Sequence, residues 1–160
     1  MKKILVVSDT HGNAKGLQKL RPLIAENDYI VHLGDGAGDM REIMRDFPEK
    51  VYLCGGNCDF FSRYPDEGVL QVDGLKILYC HGHKYHVKST LSHLAIAAKN
   101  RDCDIALYGH THTSLISEIN GVTLINPGSL SRPVGEGGSY AYLVINGAKH
   151  TEVVVGESVF

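Results

Sequence analysis

The chain has 160 residues, of which 43% are hydrophobic and 21% are charged, as in an ordinary globular protein. Its formal net charge is −2 and it has no run of Lys and Arg, which argues against duplex nucleic acid or an anionic membrane as partner. No apolar run reaches the roughly 20 residues of a membrane span, and the apolar stretch after Met1-Lys2-Lys3 is too short for a signal peptide. We therefore expect a single domain over residues 1–160 and a cytoplasmic location.

The first half of the chain alternates apolar runs with helical patterns. Short apolar runs predict buried strands, whereas apolar positions at helical spacing predict helices, the first of them capped by Asn13 and kinked or split by Pro22. The predicted elements are a strand at Ile4 to Val7, a helix after Asn13, a strand at Tyr29 to Leu33, a helix at Asp39 to Arg45 and a strand at Val51 to Cys54. This β-α-β-α-β order predicts a largely parallel sheet.

The second half is richer in hairpins. Turn dipeptides suited to type I′ hairpins occur at Asp73-Gly74, Asn120-Gly121 and Asn146-Gly147. Between them, Ser89 is expected to cap a helix running to about Arg101, and a strand is predicted at Ile105 to Tyr108. Antiparallel pairs after a parallel beginning predict an α/β fold, a four-layer α-β-β-α sandwich of two mixed β-sheets flanked by helices.

Polar clusters follow five of the predicted strands directly. Because the carboxyl ends of strands meet at one crevice in open α/β sheets, these clusters can deliver side chains to one place, and their glycines let the backbone approach a ligand closely. The clusters are Asp9-Thr10-His11, Gly34-Asp35-Gly36, Gly55-Gly56-Asn57-Cys58-Asp59, His81-Gly82-His83 and Gly109-His110-Thr111-His112. The chain has nine histidines, and their place beside Asp and Gly suggests metal or acid/base chemistry.

Two of the clusters have an alternating pattern. Asp9 and His11 are two residues apart, as are His110 and His112, and in an extended backbone each pair would project to the same side. Oxygen and imidazole donors without thiolate suit Mn²⁺, Fe²⁺, Ni²⁺ or Zn²⁺, and the set is too rich in histidine for a Ca²⁺ site.

Taken in chain order, these motifs resemble the calcineurin-like metallophosphoesterase pattern. The spacing is most similar to the small single-domain phosphodiesterases of the YfcE type from bacteria and archaea. Asn126-Pro127-Gly128-Ser129 resembles a further family segment, so the resemblance covers nearly the whole chain. Because all five clusters occur in the order and spacing of the family, the resemblance is very specific.

The resemblance implies a binuclear metal-dependent phosphodiesterase. By position, Asp9, His11 and His112 would bind the first ion, Asn57, His81 and His110 would bind the second, and Asp35 would bridge both. It implies two divalent ions, with Mn²⁺ expected first and Ni²⁺, Fe²⁺ or Zn²⁺ as alternatives. A metal-bridging hydroxide would attack phosphorus in line, with no covalent enzyme intermediate. The catalytic residues it implies are Asp35, Asn57 and His81.

One position departs from the commonest form of the family pattern. Many members have histidine where this chain has Cys58, although YfcE-type enzymes also have cysteine there. A thiol with an ordinary pKa near 8.5 donates a proton only weakly, so the general acid stays unassigned and diesters with good leaving groups are favoured. We expect substrate contacts from Asn57, Cys58 and His83, with His83 a candidate for part of the acid role. The substrate is expected to be a small phosphate ester. Its identity, the native metal and the formation of a homo-oligomer (dimer or tetramer) are left open by the sequence.

Structural alternatives exist for each residue taken alone. Asp9 could be a helix N-terminal acid, Asp35 a turn residue and Asn57 a turn former with positive φ; the complete series favours metal ligation. A phosphomonoesterase acting on a phosphoprotein or nucleotide is an alternative function. A non-catalytic scaffold, as in a eukaryotic retromer subunit of the same fold, is another.

The remaining residues of interest have structural interpretations. Asn126 to Ser129 is expected to brace the site, Arg132 either meets a phosphate or is a solvated loop residue, and Phe60-Phe61 either covers the cleft or belongs to the core or a subunit contact. His32 is expected to be hydrogen-bonded in or at the edge of the core, and the other three cysteines to be small buried side chains. The histidines expected at the surface are His86, His93 and His150.

Overall fold

The computed structural model describes residues 1–60, 63–132, 134 and 137–157. Its strands are β1 Lys2–Val7, β2 Tyr29–His32, β3 Val51–Leu53, β4 Glu67–Val72, β5 Leu75–Cys80, β6 Ile105–Leu107, β7 Leu115–Ile119, β8 Val122–Asn126, β9 Gly138–Asn146 and β10 Lys149–Glu157. Its α-helices are α1 Ala14–Lys19, α2 Arg21–Glu26, α3 Arg41–Asp46 and α4 Ser92–Asn100, and 3₁₀ turns lie at Ala37–Met40 and His83–Tyr85.

The strands form two mixed sheets of five strands each, in the orders β10-β9-β1-β2-β3 and β4-β5-β6-β8-β7. In the first sheet β1, β2 and β3 are parallel, and the hairpin of β9 and β10 adds antiparallel strands next to β1. In the second sheet β5, β6 and β8 are parallel, while β4 and β7 pair antiparallel at the two edges. The predicted change from parallel to antiparallel pairing is confirmed.

Three apolar clusters define the layers. The largest lies between the sheets and joins side chains of both, such as Ile4 and Val31 with Ile77 and Leu107. A second joins the outer face of the first sheet to α1, α2, α3 and the 3₁₀ turn before α3, and a third joins the second sheet to α4. The result is the predicted four-layer α-β-β-α sandwich.

Two local expectations were right in kind and wrong in position. The helix at Ser89 begins instead at Ser92, because Ser89 lies in a turn bonded to His86 and the hydroxyl of Thr90 accepts the Ser92 N–H. The last hairpin turns at Gly147-Ala148 rather than Asn146-Gly147, since Asn146 already pairs with Lys149. Gly147, with φ +64°, then supplies the positive φ that such a turn requires.

The helix containing Pro22 is split, as predicted. Helix α1 ends at Lys19 with Leu20 as its C-cap, and α2 begins at Arg21 with Pro22 in its first turn, where the missing N–H costs no hydrogen bond. Within the described residues, no helix has the length and apolar character needed to cross a membrane.

Candidate metal centre

The loops that follow β1 and β6 bring three donor side chains together. Asp9 Oδ1 lies 3.2 Å from His112 Nε2 and 3.7 Å from His11 Nε2, and the two imidazole nitrogens are 3.3 Å apart. The donor atoms of Asp9, His11 and His112 all lie within 4.8 Å of one another. These residues are the set predicted for the first ion.

A second cluster lies beside the first, at the ends of β2, β5 and β6. Asp35 Oδ2 is 3.2 Å from His81 Nε2, which is 3.1 Å from His110 Nδ1. Asp35 Oδ2 also lies 3.8 Å from His11 Nε2. The Asp35 carboxylate therefore stands between the two clusters, where a bridging ligand would have to be.

Backbone carbonyls orient two of the imidazoles. His81 Nδ1 lies 2.7 Å from the Leu33 carbonyl oxygen, and His112 Nδ1 lies 2.6 Å from that of Arg132. A carbonyl accepts only, so each Nδ1 carries the proton, and in the neutral ring the Nε2 lone pair faces the cluster. This is the usual arrangement for a metal-ligating histidine.

Asp9 provides an independent sign that a cation fits here. The residue is 0% exposed, and its Oδ2 accepts hydrogen bonds from Ser8 Oγ at 2.5 Å and the His110 N–H at 3.1 Å. Its Oδ1 is buried without a hydrogen-bond partner, which costs free energy unless something satisfies it. This oxygen faces the nitrogens of His11 and His112. A divalent ion bound by these three atoms would satisfy it.

The charges of the second cluster also suit a cation. Burial raises the pKa of Asp35, but His81 and the Cys58 N–H outweigh this effect and hold the pKa of Asp35 well below its usual range. Burial lowers the pKa of His81, but Asp35 and Asp9 raise it by more. The carboxylates that attract a proton to His81 would attract a dication equally. Burial, His81 and Lys88 lower the pKa of His110 to about 4, so its ring is neutral at pH 7 and offers a lone pair.

The backbone at the site is not extended as the sequence predicts. The spacing of Asp9 and His11 predicts an extended strand end, yet their φ angles are +55° and +44°, and those of His110 and His112 are +71° and +60°. These residues are in the left-handed region, which residues other than glycine adopt uncommonly and which recurs at functional sites. Asp9 and His11 do meet in space, whereas His110 and His112 each join a different cluster; tight turns and not strand alternation place all four residues.

Cys58 and Asn57 lie at the open side of the clusters. Both are exposed, and Asn57 Nδ2 is 3.6 Å from Cys58 Sγ. The Cys58 N–H donates to Asp35 Oδ1 at 2.7 Å, and its thiol lies within 4.8 Å of donor atoms of His11 and Asp35. Cys58 thus lines the site, in the position that its expected substrate contact requires. Asn57 does not have the positive φ of its turn-former alternative.

His83 lies at the edge of the second cluster. Its ring centroid is 5.4 Å from that of His81 and 6.1 Å from that of His110, and its Nδ1 is buried without a hydrogen-bond partner. Burial and the charges of His81 and Lys84 lower the pKa of His83. It is therefore within reach of the site as a neutral imidazole.

Asp59 has a structural role that sequence reasoning missed. Its carboxylate accepts backbone N–H groups of Asp35, Gly36, Ala37 and Gly56 at 2.8 to 3.1 Å. It therefore ties the loop of Asp35 to the loop of Asn57 and caps the 3₁₀ turn that follows. The residues around Asp59 in the sequence do not reveal this role, because the carboxylate accepts N–H groups from a loop that is distant in the chain.

A buried hydrogen-bonded chain supports the loop of Asp9 and His11. His32 Nδ1 accepts the Gly34 N–H at 3.1 Å, so its Nε2 carries the proton and donates to Thr10 Oγ1 at 3.0 Å. Thr10 Oγ1 then donates to Asp39 Oδ2 at 2.7 Å, which also accepts the Gly12 N–H at 2.9 Å. His32 is 0% exposed, which confirms its predicted buried, hydrogen-bonded position.

The segment after β8 braces the site from the other side, as predicted. Asn126 Nδ2 donates to the Gly109 carbonyl oxygen at 3.2 Å and to Thr111 Oγ1 at 2.9 Å. Ser129 Oγ donates to the Asp9 carbonyl oxygen at 2.8 Å. This segment therefore contacts both the loop of Asp9 and His11 and the loop of His110 and His112.

Other predicted positions are mostly as expected. The three remaining cysteines, Cys54, Cys80 and Cys103, are buried free thiols. His86 and His93 are exposed, whereas His150 is partly buried and lies 3.0 Å from Glu152. Arg132 is exposed, and its carbonyl oxygen lies 2.6 Å from His112 Nδ1, which places the residue beside the site. Phe60 is 77% exposed and so is not core, while Phe61 lies outside the described residues.

A two-sheet sandwich with carboxylate and imidazole donors at the strand ends defines the chain as a metallophosphoesterase by class. The family model of the calcineurin-like phosphoesterase superfamily domain matches residues 1–148. The chain belongs to this superfamily.

Individual relatives agree with the family. The chain is 34% identical to the probable metallophosphoesterase YsnB of Bacillus subtilis over 144 residues, covering 89% of this chain and 83% of YsnB. It is 26% identical to the phosphodiesterase YfcE of Escherichia coli K12, covering 84% and 83% of the two chains. It is also 30% identical to vacuolar protein sorting-associated protein 29 of Schizosaccharomyces pombe, covering 79% and 71%.

A solved structure agrees with the fold. The crystal structure of a conserved protein from Streptococcus pneumoniae TIGR4, described as a predicted phosphoesterase, superposes with a TM-score of 0.82 at 28% identity. The match covers 97% of this chain and 89% of that one.

Proposed function

We propose that the chain is a phosphodiesterase that uses two divalent metal ions. The first ion would be held by Asp9, His11 and His112 and the second by Asn57, His81 and His110, with Asp35 shared. The observation that carries the proposal is the presence of two adjacent donor clusters on either side of the buried carboxylate of Asp35. Such a pair of ions supplies charge neutralisation of phosphoryl oxygens and acidification of water, as direct in-line hydrolysis requires.

The chain's own residues prepare this chemistry. Asp35 is held ionised, so its negative charge can reduce the repulsion between two cations. Leu33 and Arg132 fix the ring orientations of His81 and His112 through their carbonyl oxygens. Donors positioned in advance by the backbone need little reorganisation when substrate arrives. Cys58, Asn57 and His83 surround the open side and are the proposed substrate contacts.

Imidazole and carboxylate donors do not select a single ion. We propose Mn²⁺ as the working metal, with Fe²⁺, Ni²⁺ and Zn²⁺ as alternatives. Because the rings present nitrogen donors, Ca²⁺ is a poor match for either cluster.

Diesters are preferred to monoesters in this proposal. The relative YfcE is named a phosphodiesterase, and the position that would otherwise offer a histidine to a substrate phosphate has Cys58, which is neutral as a thiol. The phosphate of a dianionic monoester is therefore stabilised less by Cys58 than it would be by a cationic imidazole. A phosphomonoesterase acting on a nucleotide or phosphoprotein is the alternative within the same site.

A non-catalytic scaffold is the alternative from another class. The relative vacuolar protein sorting-associated protein 29 has a name that describes sorting and not catalysis. This chain retains a competent side chain at every position of the proposed donor set, which favours the enzyme. We also propose one domain over residues 1–160, supported by the family match to residues 1–148 and by the shared core between the sheets.

The test begins with metal-free protein. The full chain, stripped with a chelator and reconstituted with Mn²⁺, is expected to hold about two ions per chain by elemental analysis. It should hydrolyse bis-p-nitrophenyl phosphate faster than p-nitrophenyl phosphate. A reversed preference would support the monoesterase. Failure to hydrolyse either ester with Mn²⁺, Ni²⁺, Fe²⁺ or Zn²⁺ would support the scaffold.

Asp35→Ala isolates the shared carboxylate. The variant is expected to lose both ions and all hydrolysis, whereas His110→Ala should weaken the second ion and reduce turnover. His150→Ala is the matched control, because His150 pairs with Glu152 on β10 and should behave as the parent. Full activity in Asp35→Ala would exclude the bridge.

A further inference from the structure

The thiol of Cys58 adds a sulfur atom to a site otherwise made of oxygen and nitrogen donors. Its Sγ, a carboxylate oxygen of Asp35 and a ring nitrogen of His11 all lie within 4.8 Å of one another. The side chain is exposed, while its backbone N–H is fixed on Asp35 Oδ1 at 2.7 Å. Cys58 therefore has a fixed backbone and a side chain that can turn towards the clusters.

We propose that Cys58 is a metal ligand for thiophilic dications, and that with His11 and Asp35 it gives the centre a sulfur-containing binding mode for Zn²⁺ or Cd²⁺. This inference rests on the proposed function, because it uses two of the same donors. It goes further in dividing dications into those that recruit the thiol and those, such as Mn²⁺, that leave it free.

The distances allow such a mode with little movement. A tetrahedral Zn²⁺ has bonds of about 2.0–2.3 Å to nitrogen, oxygen and sulfur, which places its donors roughly 3.3–3.8 Å apart. The three atoms need to approach by only about an ångström from their 4.8 Å limit. The exposed side chain of Cys58 is the part of the set that can move to close this gap.

An unsatisfied oxygen lies next to this set. Asp9 Oδ1 is buried, has no hydrogen-bond partner and lies 3.7 Å from His11 Nε2. A cation beside His11 would satisfy it. With Cys58, His11 and Asp35 as three protein ligands, a tetrahedral ion would keep its fourth position for water or substrate.

Ligand softness decides which ions use the thiol. A cysteine binds a dication as its thiolate, so the ion must displace the thiol proton. On binding, the S–H bond breaks, the sulfur keeps the electron pair for the metal, and the proton passes to water. Zn²⁺ and Cd²⁺ form strong bonds to sulfur, whereas Mn²⁺ prefers oxygen and nitrogen.

The test is a Cd²⁺ titration of the metal-free full chain, followed by the sulfur-to-cadmium charge-transfer absorption in the ultraviolet. The parent is expected to develop this band, and Cys58→Ser and Cys58→Ala to lack it. In both variants Cd²⁺ affinity should fall by about tenfold or more, while Mn²⁺ affinity changes by less than about threefold. Cys58 is exposed, so neither variant should disturb folding, which circular dichroism checks.

Cys103→Ser is the matched control. Cys103 is buried in the loop just before β6, whereas His110 and His112 follow the end of that strand, so the variant should keep the band. The inference is overturned if the parent gives no sulfur-to-cadmium band, or if the band persists undiminished in Cys58→Ser. Mn²⁺-dependent diester hydrolysis by the parent, measured separately, tests the proposed function and does not depend on these outcomes.

Discussion

At the scale of single residues, Gly56 shows how closely the site is packed around Asp35. A Cβ at this position would lie 2.1 Å from Asp35 Oδ1 and 2.5 Å from the Asp35 backbone nitrogen. Real Cβ atoms do not approach so closely, so one of the two loops must move. The carboxylate proposed to be shared by both ions is thus positioned by the absence of a side chain.

Gly56→Ala should therefore displace Asp35. We expect Mn²⁺ affinity to fall by about tenfold or more and the free energy of unfolding to fall by about 1–3 kcal/mol, measured by calorimetric titration and denaturant unfolding. Gly38→Ala is the matched control, because a Cβ there meets nothing within 4 Å. A Gly56→Ala chain that binds Mn²⁺ like the parent would show that Asp35 is not held in this way.

His83 is the residue whose role changes most between sequence and structure. The sequence suggested part of a general-acid role, but burial lowers the pKa of His83, and a neutral imidazole is a poor proton donor to a leaving group. Of its two expected roles, substrate contact and part of the general acid, the first fits a neutral imidazole better.

His83→Ala should accordingly slow esters with good and poor leaving groups alike. The measurement compares kcat/KM for methyl p-nitrophenyl phosphate and methyl phenyl phosphate in parent and variant. Equal losses are expected, and His93→Ala, an exposed position on α4, should cause none. A loss confined to the phenyl ester would instead identify His83 as the proton donor.

The residue types of the donor set were predictable, whereas their supports were not. Asp, His and Asn after strands carry a recognisable chemistry, and the structure brings Asp9, His11, Asp35, His81, His110 and His112 together. Three of the four backbone bonds of Asp59 depend on which loops become neighbours in space. That information is not contained in local spacing.

At the scale of elements, the hydroxyl of Thr10 anchors the loop between β1 and α1 to two other elements. Its hydroxyl accepts from His32 on β2 and donates to Asp39 in the 3₁₀ turn before α3. Thr10 lies between Asp9 and His11, so the same short loop carries two proposed ligands and the atom that fixes it.

Thr10→Val keeps the shape of the side chain and removes both hydrogen bonds. His32 Nε2 then loses its acceptor and Asp39 a donor, for which we expect a loss of about 1–3 kcal/mol in the free energy of unfolding. Mn²⁺ binding should weaken as well, because the loop can shift. Thr151→Val, at an exposed position of β10, should change neither quantity. Unchanged stability in Thr10→Val would mean that water replaces the hydroxyl.

Element types and order followed from periodicity and turn chemistry. Asp73-Gly74 and Asn120-Gly121 form the predicted turns with positive φ at both residues, since the twist of the flanking strands requires it. The left-handed turns at Asp9, His11, His110 and His112 could not be predicted, because nothing about these residue types demands positive φ. Such strain persists only where tertiary contacts over-determine it, here those of Asn126 and Ser129.

At the scale of the whole molecule, packing the first sheet against its helices encloses polar groups as well as apolar ones. His32 is 0% exposed, and burial lowers its pKa from 6.5 to about 4, with the charges of Asp59, Asp9 and Asp39 only partly offsetting the effect. The folded chain therefore keeps His32 neutral over a range in which an unfolded chain would protonate it.

This difference makes stability depend on pH with a definite sign. Because the pKa of His32 is lower in the folded state, its contribution is fully present above pH 6.5 and is lost as pH falls from 6.5 towards 4. The slope from this one group reaches at most about 1.4 kcal/mol per pH unit. We expect His32→Gln, compared with the parent by denaturant unfolding in chelator between these two pH values, to lose part of the acid sensitivity. His93→Gln, at an exposed position, should retain the parent's slope. An identical slope in His32→Gln would mean that other histidines, such as His110, account for the acid sensitivity.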